Sequence, residues 1–279
     1  MQRKHKSLHT LFQRLFIVMI FLMVLGPFIW TLLISMQDSV ELNSSFAVLL
    51  TRDINLDNYR HVLSNSRFVA GLRDSLIISV LSVIINIIIS VPAGFALARV
   101  KMPLTKIFLR IMLTFVFVPI LLLAVPVRQM LLAWGFKSSY WMVVLPMSVL
   151  VMTTMTFWSF YARFPDEMDD CSVMLGMTPI QGFFRIYLPV SGKMIAYAAV
   201  LQFVTTWNCA FMPMFMYREP HSIVAVQESL LQFALMPSQI FNGMVAVLIT
   251  CLPCWLLYLV RYKLGKDVDS VVGDPYRDA

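Results

Sequence analysis

Long apolar runs separated by shorter polar segments dominate this chain. Six of them, about 15–36, 75–98, 108–127, 140–161, 194–216 and 240–260, are long enough to cross a bilayer. A hydrocarbon core about 30 Å thick needs roughly 20 apolar residues per helix. None of the runs alternates apolar and polar residues as a barrel strand would. The pattern predicts an all-α, polytopic membrane protein with six transmembrane helices in one domain over residues 1–279.

Composition agrees. The chain is 59% hydrophobic and 13% charged, with a mean hydropathy of +0.78, whereas soluble domains carry about 25% charged residues. The net charge of +7 matters through its placement. With the N-terminus in the cytoplasm, the inside segments hold 15 basic residues and the outside segments 7. The positive-inside bias therefore predicts that both termini are cytoplasmic, together with the segment 162–193. The charges are dispersed among loops, which argues against nucleic acid as a partner. The basic N-terminus and the apolar run behind it resemble a signal peptide only superficially. The run is about 22 residues long with no small-residue cleavage site after it, so it reads as a retained span.

Between the spans, one segment stands out. Residues 165–189 read PDEMDDCSVMLGMTPIQGFFRIYLP. Pro165 suits a first helical position, and Asp166, Glu167, Asp169 and Asp170 suit the positive end of a helix dipole. Gly176 can end that helix in a left-handed conformation. Thr178-Pro179-Ile180-Gln181 forms a capping box with proline behind the cap. The segment predicts a short helix, a glycine turn and a second helix ending near Pro189. Elsewhere, the outside segment 37–73 predicts a short helix near Asp57–Leu63. Trp134, Tyr140 and Trp141 mark an interfacial aromatic belt.

Several chemistries are missing. All four histidines lie outside the spans, and all fifteen acidic residues lie outside them or at their edges, so the proton relays and catalytic dyads of membrane machines have no obvious residues. There is no HExxH and no GxxxxGK[ST], so no catalytic site, resident metal, cofactor or self-supplied ATP site is predicted. Cys251 and Cys254 form a CxxC inside an apolar helix beside Pro253, without the second pair that a zinc site needs. The 20 methionines read as packing. Transport energy would then come from another subunit through the 162–193 segment. Sodium coupling through backbone carbonyls remains an alternative.

The segment resembles the EAA motif of ATP-binding-cassette importer permeases. Asp170-Cys171-Ser172 stands where E-A-A would, Gly176 at the motif's glycine, Ile186-Tyr187-Leu188-Pro189 at its I-x-L-P, and Pro165-Asp166-Glu167-Met168 is similar to P-x-E-L. Asp170 is shorter than the usual glutamate, Cys171 and Ser172 replace alanines, and Leu175 replaces an aspartate common in sugar permeases. Further segments resemble the carbohydrate, maltose-type branch: Leu25-Gly26-Pro27-Phe28-Ile29-Trp30; Leu56-Asp57-Asn58-Tyr59; Pro92-Ala93-Gly94-Phe95-Ala96-Leu97-Ala98-Arg99; and Trp207-Asn208-Cys209-Ala210-Phe211-Met212-Pro213. Leu175-Gly176 is closer to polyamine-type permeases.

The resemblance implies a type I importer permease fold in a bacterial or archaeal inner membrane, as a multi-pass subunit surrounded by lipid. The loop 163–193 would couple to an ATPase dimer through Glu167, Asp170, Cys171, Ser172 and Gly176. It also implies a second permease chain and an extracytoplasmic solute-binding protein that meets the outside loops near 37–73 and 217–239. The cargo would be a sugar or sugar derivative. A polyamine or another solute, or an ion-coupled secondary transporter, are the alternatives. Trp207 and Asn208 are candidate substrate-pathway residues, since an aromatic face beside an amide suits sugar recognition. The other reading is that Trp207 packs between helices and Asn208 bonds a neighbouring helix.

Overall fold

The computed structural model describes residues 2–37, 55–100, 103–137, 139–217, 226–236 and 239–271. Much of the segments 37–73 and 217–239, expected to lie outside and to meet a binding protein, falls beyond these residues, as does the C-terminal tail after 271. Among the described residues every regular element is helical. In chain order they are α1 (Gln2–Ser35), α2 (Asp57–Ser64), α3 (Ser66–Arg99), α4 (Thr105–Val116), α5 (Ile120–Ala133), α6 (Trp141–Ser148), α7 (Val151–Tyr161), α8 (Glu167–Met174), α9 (Pro179–Gly182), a π-helical turn at Phe183–Tyr187, α10 (Leu188–Val190), α11 (Gly192–Trp207), α12 (Phe211–Met216), α13 (Val226–Leu235) and α14 (Ile240–Val271).

Four stretches are long and apolar enough to cross a membrane: Gln13–Ser35, Ser66–Arg99, Trp141–Tyr161 and Ile240–Leu259. A fifth is counted if Pro179–Val190 and Gly192–Trp207, bent by 75° at their junction, make one broken span. The expected third span, 108–127, is divided between α4 and α5. Pro119 stands at the break: it has no N–H to donate, its ring disfavours helical backbone at the residue before it, and Pro119 itself is extended (φ −62, ψ 125) just before α5. The expected fifth span, 194–216, is likewise divided at Asn208–Ala210 between α11 and α12.

The chain forms two compact units. The first comprises residues 1–69 and 229–252. Within it, α2 closes the end of α1. Asn58 Nδ2 donates to the carbonyls of Ser35 (3.2 Å) and Gln37 (2.8 Å), and the Tyr59 hydroxyl pairs with Ser35 Oγ at 2.8 Å. The last carbonyls of a helix have no intrahelical partner, so the Leu56-Asp57-Asn58-Tyr59 stretch has a local structural purpose.

The second unit comprises residues 70–228 and 253–279. Its framework is α3, which carries a buried polar stripe of Ser75, Ser79, Ser82, Asn86 and Ser90. Asn86 of this stripe serves a break between α6 and α7, where Leu150 is extended (φ −96, ψ 113). Asn86 Nδ2 donates to the Ser148 carbonyl and Gln202 Nε2 to the Met147 carbonyl, each at 2.7 Å. Unpaired backbone polar groups cost several kcal/mol each in hydrocarbon, so a broken helix persists only where side chains complete it. One turn further on, Thr154 Oγ1 donates to Ser90 Oγ at 3.1 Å.

Toward the expected outer end, Ile78, Leu131, Met142, Val144, Met212 and Met216 form one apolar cluster. Above it, the buried Asp74 carboxylate accepts from Arg73 (2.9 Å) and from the Tyr140 hydroxyl (2.9 Å). At the opposite end Val91, Phe95, Phe157, Tyr161, Phe183 and Tyr187 form a second cluster. Here α3 and α7 touch backbone to backbone: a Cβ added at Gly94 would lie 2.5 Å from Phe157 Cβ and 2.8 Å from the Trp158 nitrogen. Gly94→Ala should therefore push the helices apart and cost about 1–3 kcal/mol. The apparent Tm of the detergent-solubilised protein should fall. Gly192→Ala, where nothing lies within 4 Å of the new Cβ, should leave it unchanged.

Candidate functional site: a two-faced helix between α7 and α9

The predicted helix–glycine–helix is present, two residues shorter at its start than Pro165 suggests. Asp166 occupies the cap position, and Glu167, Asp169 and Asp170 fill the first turn of α8. The helix ends in a Schellman arrangement. The Gly176 N–H donates to the Val173 carbonyl (2.9 Å) and the Met177 N–H to the Ser172 carbonyl (3.0 Å), with Gly176 left-handed at φ +66. The capping box then starts α9: the Gln181 N–H donates to Thr178 Oγ1 at 3.3 Å and the Thr178 N–H to Gln181 Oε1 at 3.0 Å.

Helical periodicity divides α8 into two faces. Glu167, Asp170, Cys171 and Met174, spaced i, i+3, i+4 and i+7, point outward and are exposed. Val173 and Met174 are 71% and 86% exposed, and Ile180 of α9 is 70% exposed. Such an apolar rim set among acids is expected of a surface that another protein covers. Ser172 departs from its four companions by facing inward. It is buried, its hydroxyl donates to the Asp169 carbonyl at 2.7 Å, and it packs under Gly182. Met168 and Asp169 share this inner face and are only partly exposed.

The inner face rests on a network that the motif spacing did not reveal. Arg99, the last residue of α3, is 6% exposed in its side chain. Its guanidinium donates to Asp166 Oδ1 (2.9 Å) and to the carbonyls of Phe164 and Pro165, and lies 3.6 Å from Asp169 Oδ2. It also sits over the Tyr187 ring, 5.7 Å from the centroid. The Tyr187 hydroxyl donates to Asp169 Oδ1 at 2.5 Å. Burial, reinforced by that hydrogen bond, raises the Tyr187 phenol above its ordinary value, so it stays protonated as a donor. Ser191 Oγ continues the chain, bonded to the Tyr187 carbonyl (2.6 Å) and the Tyr161 hydroxyl (2.8 Å). A cleft of about 530 Å³ opens beside this network, bordered by Arg99, Asp166, Asp169, Asp170 and Val173. The sequence signal for the network was weak: an arginine at the end of an apolar run and a tyrosine between the isoleucine and leucine of I-x-L-P both have commonplace explanations.

The second candidate pair separates. Trp207 is buried and stacked on Phe203, with centroids 5.6 Å apart and planes 15° apart. Asn208 is exposed at the end of α11, where its Nδ2 donates to the Val204 carbonyl at 2.9 Å. Among the described residues no group of three His, Cys, Asp or Glu side chains comes together as a metal site.

Comparison with known proteins places this architecture. The chain is 27% identical over 186 residues to the sulfoquinovosyl glycerol transport system permease protein SmoH of Agrobacterium fabrum, covering 66% of this chain and 65% of that protein, just under two thirds of its length. It is 24% identical over 251 residues to the inner membrane ABC transporter permease protein YcjP of Escherichia coli, covering 88% of this chain and 89% of that one. Its fold matches a chain of a bacterial ABC transporter involved in the import of the acidic polysaccharide alginate, with a TM-score of 0.79 at 16% identity, over 92% of this chain and 96% of that chain. The family model described as binding-protein-dependent transport system inner membrane component matches residues 90–266, a stretch that contains α8, its glycine turn and Arg99, and the chain belongs to that family.

Proposed function

We propose that this chain is a permease subunit of an ATP-driven importer for a sugar or sugar derivative. The observation that carries the reading is the two-faced α8: an outer face of exposed acids and apolar side chains, held up by a buried inner face and ended by a left-handed glycine. Membership of the binding-protein-dependent transport family supports it, as do relatives whose names specify sulfoquinovosyl glycerol, arabinooligosaccharides and trehalose.

In this reading the chain has six spans, with α4 and α5 together making the third, and both termini are cytoplasmic. It pairs with a second permease chain in a prokaryotic inner membrane. Each permease receives one subunit of an ATPase dimer on its α8 face, and a solute-binding protein delivers cargo outside. ATP binding draws the two α8 helices together, and the spans rock between inward-open and outward-open states. Glu167 and Asp170 offer carboxylates to basic side chains of the ATPase, and Cys171 keeps the approach close. Ser172 acts from below, holding α8 against α9. No bond is made or broken by this chain. Along the pathway, Asn208 is the member of the Trp207–Asn208 pair placed to meet a solute, and Trp207 supports it by stacking on Phe203.

Purification of the tagged chain in mild detergent from its native membrane tests the assembly directly: an ATPase and a second permease should accompany it in stoichiometric amounts. The glycine turn gives a sharper test. Nothing lies within 4 Å of a Cβ added at Gly176, so only backbone conformation restricts the position. A non-glycine residue in the left-handed region costs about 1–2 kcal/mol, and asparagine tolerates it best. Gly176→Val should abolish ATP-dependent uptake while the protein still inserts, and Gly176→Asn should retain most of it. Asp170→Lys should weaken ATPase co-purification and uptake together, because it places a cation where a partner cation docks. Wild-type uptake in both Gly176→Val and Asp170→Lys would contradict the proposal.

A further inference from the structure

We infer that Arg99 is the strut through which displacement of α8 is delivered to the long helix α3, making the α3 terminus the first part of the membrane domain to feel the ATPase. This rests on the reading of α8 as the ATPase-docking helix and assigns a positioning role to a residue outside the docking face.

The geometry carries the inference in three steps. First, the outer stripe of α8 is free for a partner, so force enters from that side. It must leave through the inner face, where Asp169 points. Second, Arg99 grips both the first turn of α8 and the chain leading into it. It reaches the carboxylates of Asp166 and Asp169 and the carbonyls of Phe164 and Pro165. Only a guanidinium fork can serve carboxylate and carbonyl acceptors from one planar head. Third, the grip is withdrawn from solvent on the arginine side, with a side chain 6% exposed. Asp166 on the other side is 94% exposed and its pairing is screened by water, so the firm part of the grip is on the carbonyls of Phe164 and Pro165 and on Asp169, which is 38% exposed.

The other connection from α8 runs through Tyr187, which is tied by hydrogen bonds through Ser191 to Tyr161 of α7 but, Arg99 apart, meets α3 by ring packing at Phe95. Ring pairs do have preferred edge-to-face and offset geometries, but these preferences are weak beside a charge-assisted hydrogen bond. The hydrogen-bonded arginine resists shear. Tyr187 contributes by fixing the rotamer of Asp169 through its 2.5 Å hydrogen bond and by lying under the guanidinium. Arg99 also terminates α3, where the helix dipole favours a cation. It is therefore held firmly at both ends.

The test uses the whole importer complex in proteoliposomes, with ATP hydrolysis and substrate uptake measured on the same preparation. The wild-type complex must first contain an ATPase and transport; failure there would sink the proposed function and not this inference. Arg99→Met keeps the length of the stem and removes the fork. Its complex should assemble and hydrolyse ATP, but the uptake obtained per ATP should fall about ten-fold, the usual scale of a coupling between sites. Arg99→Lys should recover part of that ratio by restoring the charge. Tyr187→Phe and Asp169→Asn leave Arg99 in place and should each lower the ratio by a smaller amount. A residue that merely stabilises the fold would lower uptake and hydrolysis in parallel, and the ratio would not move. An unchanged ratio in Arg99→Met overturns the inference. If that variant does not accumulate, an unchanged ratio in both Tyr187→Phe and Asp169→Asn overturns it instead.

Discussion

The architecture depends on one constraint: a helix that breaks within a membrane must have its freed backbone groups answered by the protein itself. This chain breaks its apolar helices repeatedly, and at two of the breaks particular polar side chains bond the neighbouring carbonyls. Between α6 and α7 the carbonyls of Met147 and Ser148 are taken by Gln202 and Asn86, which come from two different helices. At the end of α11, Asn208 returns its amide to the Val204 carbonyl. Arg128 Nε donates to the Met216 carbonyl at the end of α12. The contacts made by Asn86, Gln202 and Arg128 span 62, 55 and 88 residues of sequence, so they also fix which helices are neighbours. Irregular backbone is thereby turned into a register for packing.

The same economy shapes the surface segment. The left-handed Gly176 and the capping box that follows satisfy the orphan groups at the end of α8 and the start of α9 almost entirely within a few residues. The segment is therefore defined locally and can present its outer side chains without leaning on them. Anchoring is left to the inner face, where Ser172, Asp169 and Tyr187 meet Arg99. A helix divided in this way can be pushed from one side and can pass the displacement on from the other.

Much of this was legible in the sequence, and the reasons are local. The glycine after the α8 acids, the Thr178–Gln181 box and the proline behind the cap have short-range meanings, and the structure realises all three. The long apolar runs also became helices. What could not be read were features decided by contacts across the chain. Asp169 and Asp170 are chemically identical neighbours, and only the position of Arg99 and Tyr187 makes one an inward ligand and the other an outward group. Ser172 looked equivalent to Cys171 by size, yet helical phase turns it to the core. The third apolar run promised an unbroken span because hydrophobicity does not register the backbone consequence of Pro119. Trp207 and Asn208 are adjacent in sequence, but the first is buried in α11 and the second is exposed beyond its last turn.

The most direct test of the central claim uses the protein's own chemistry at Cys171, which is exposed on the outer stripe of α8. In a chain whose Cys209, Cys251 and Cys254 are replaced by serine, maleimide labelling of Cys171 should be measured from the cytoplasmic side, with and without the ATPase. The account predicts ready labelling of the ATPase-free chain and strong protection in the assembled complex. Equal labelling in both would show that this face is not where the ATPase sits, and the assignment of α8 as the point of energy input would fall.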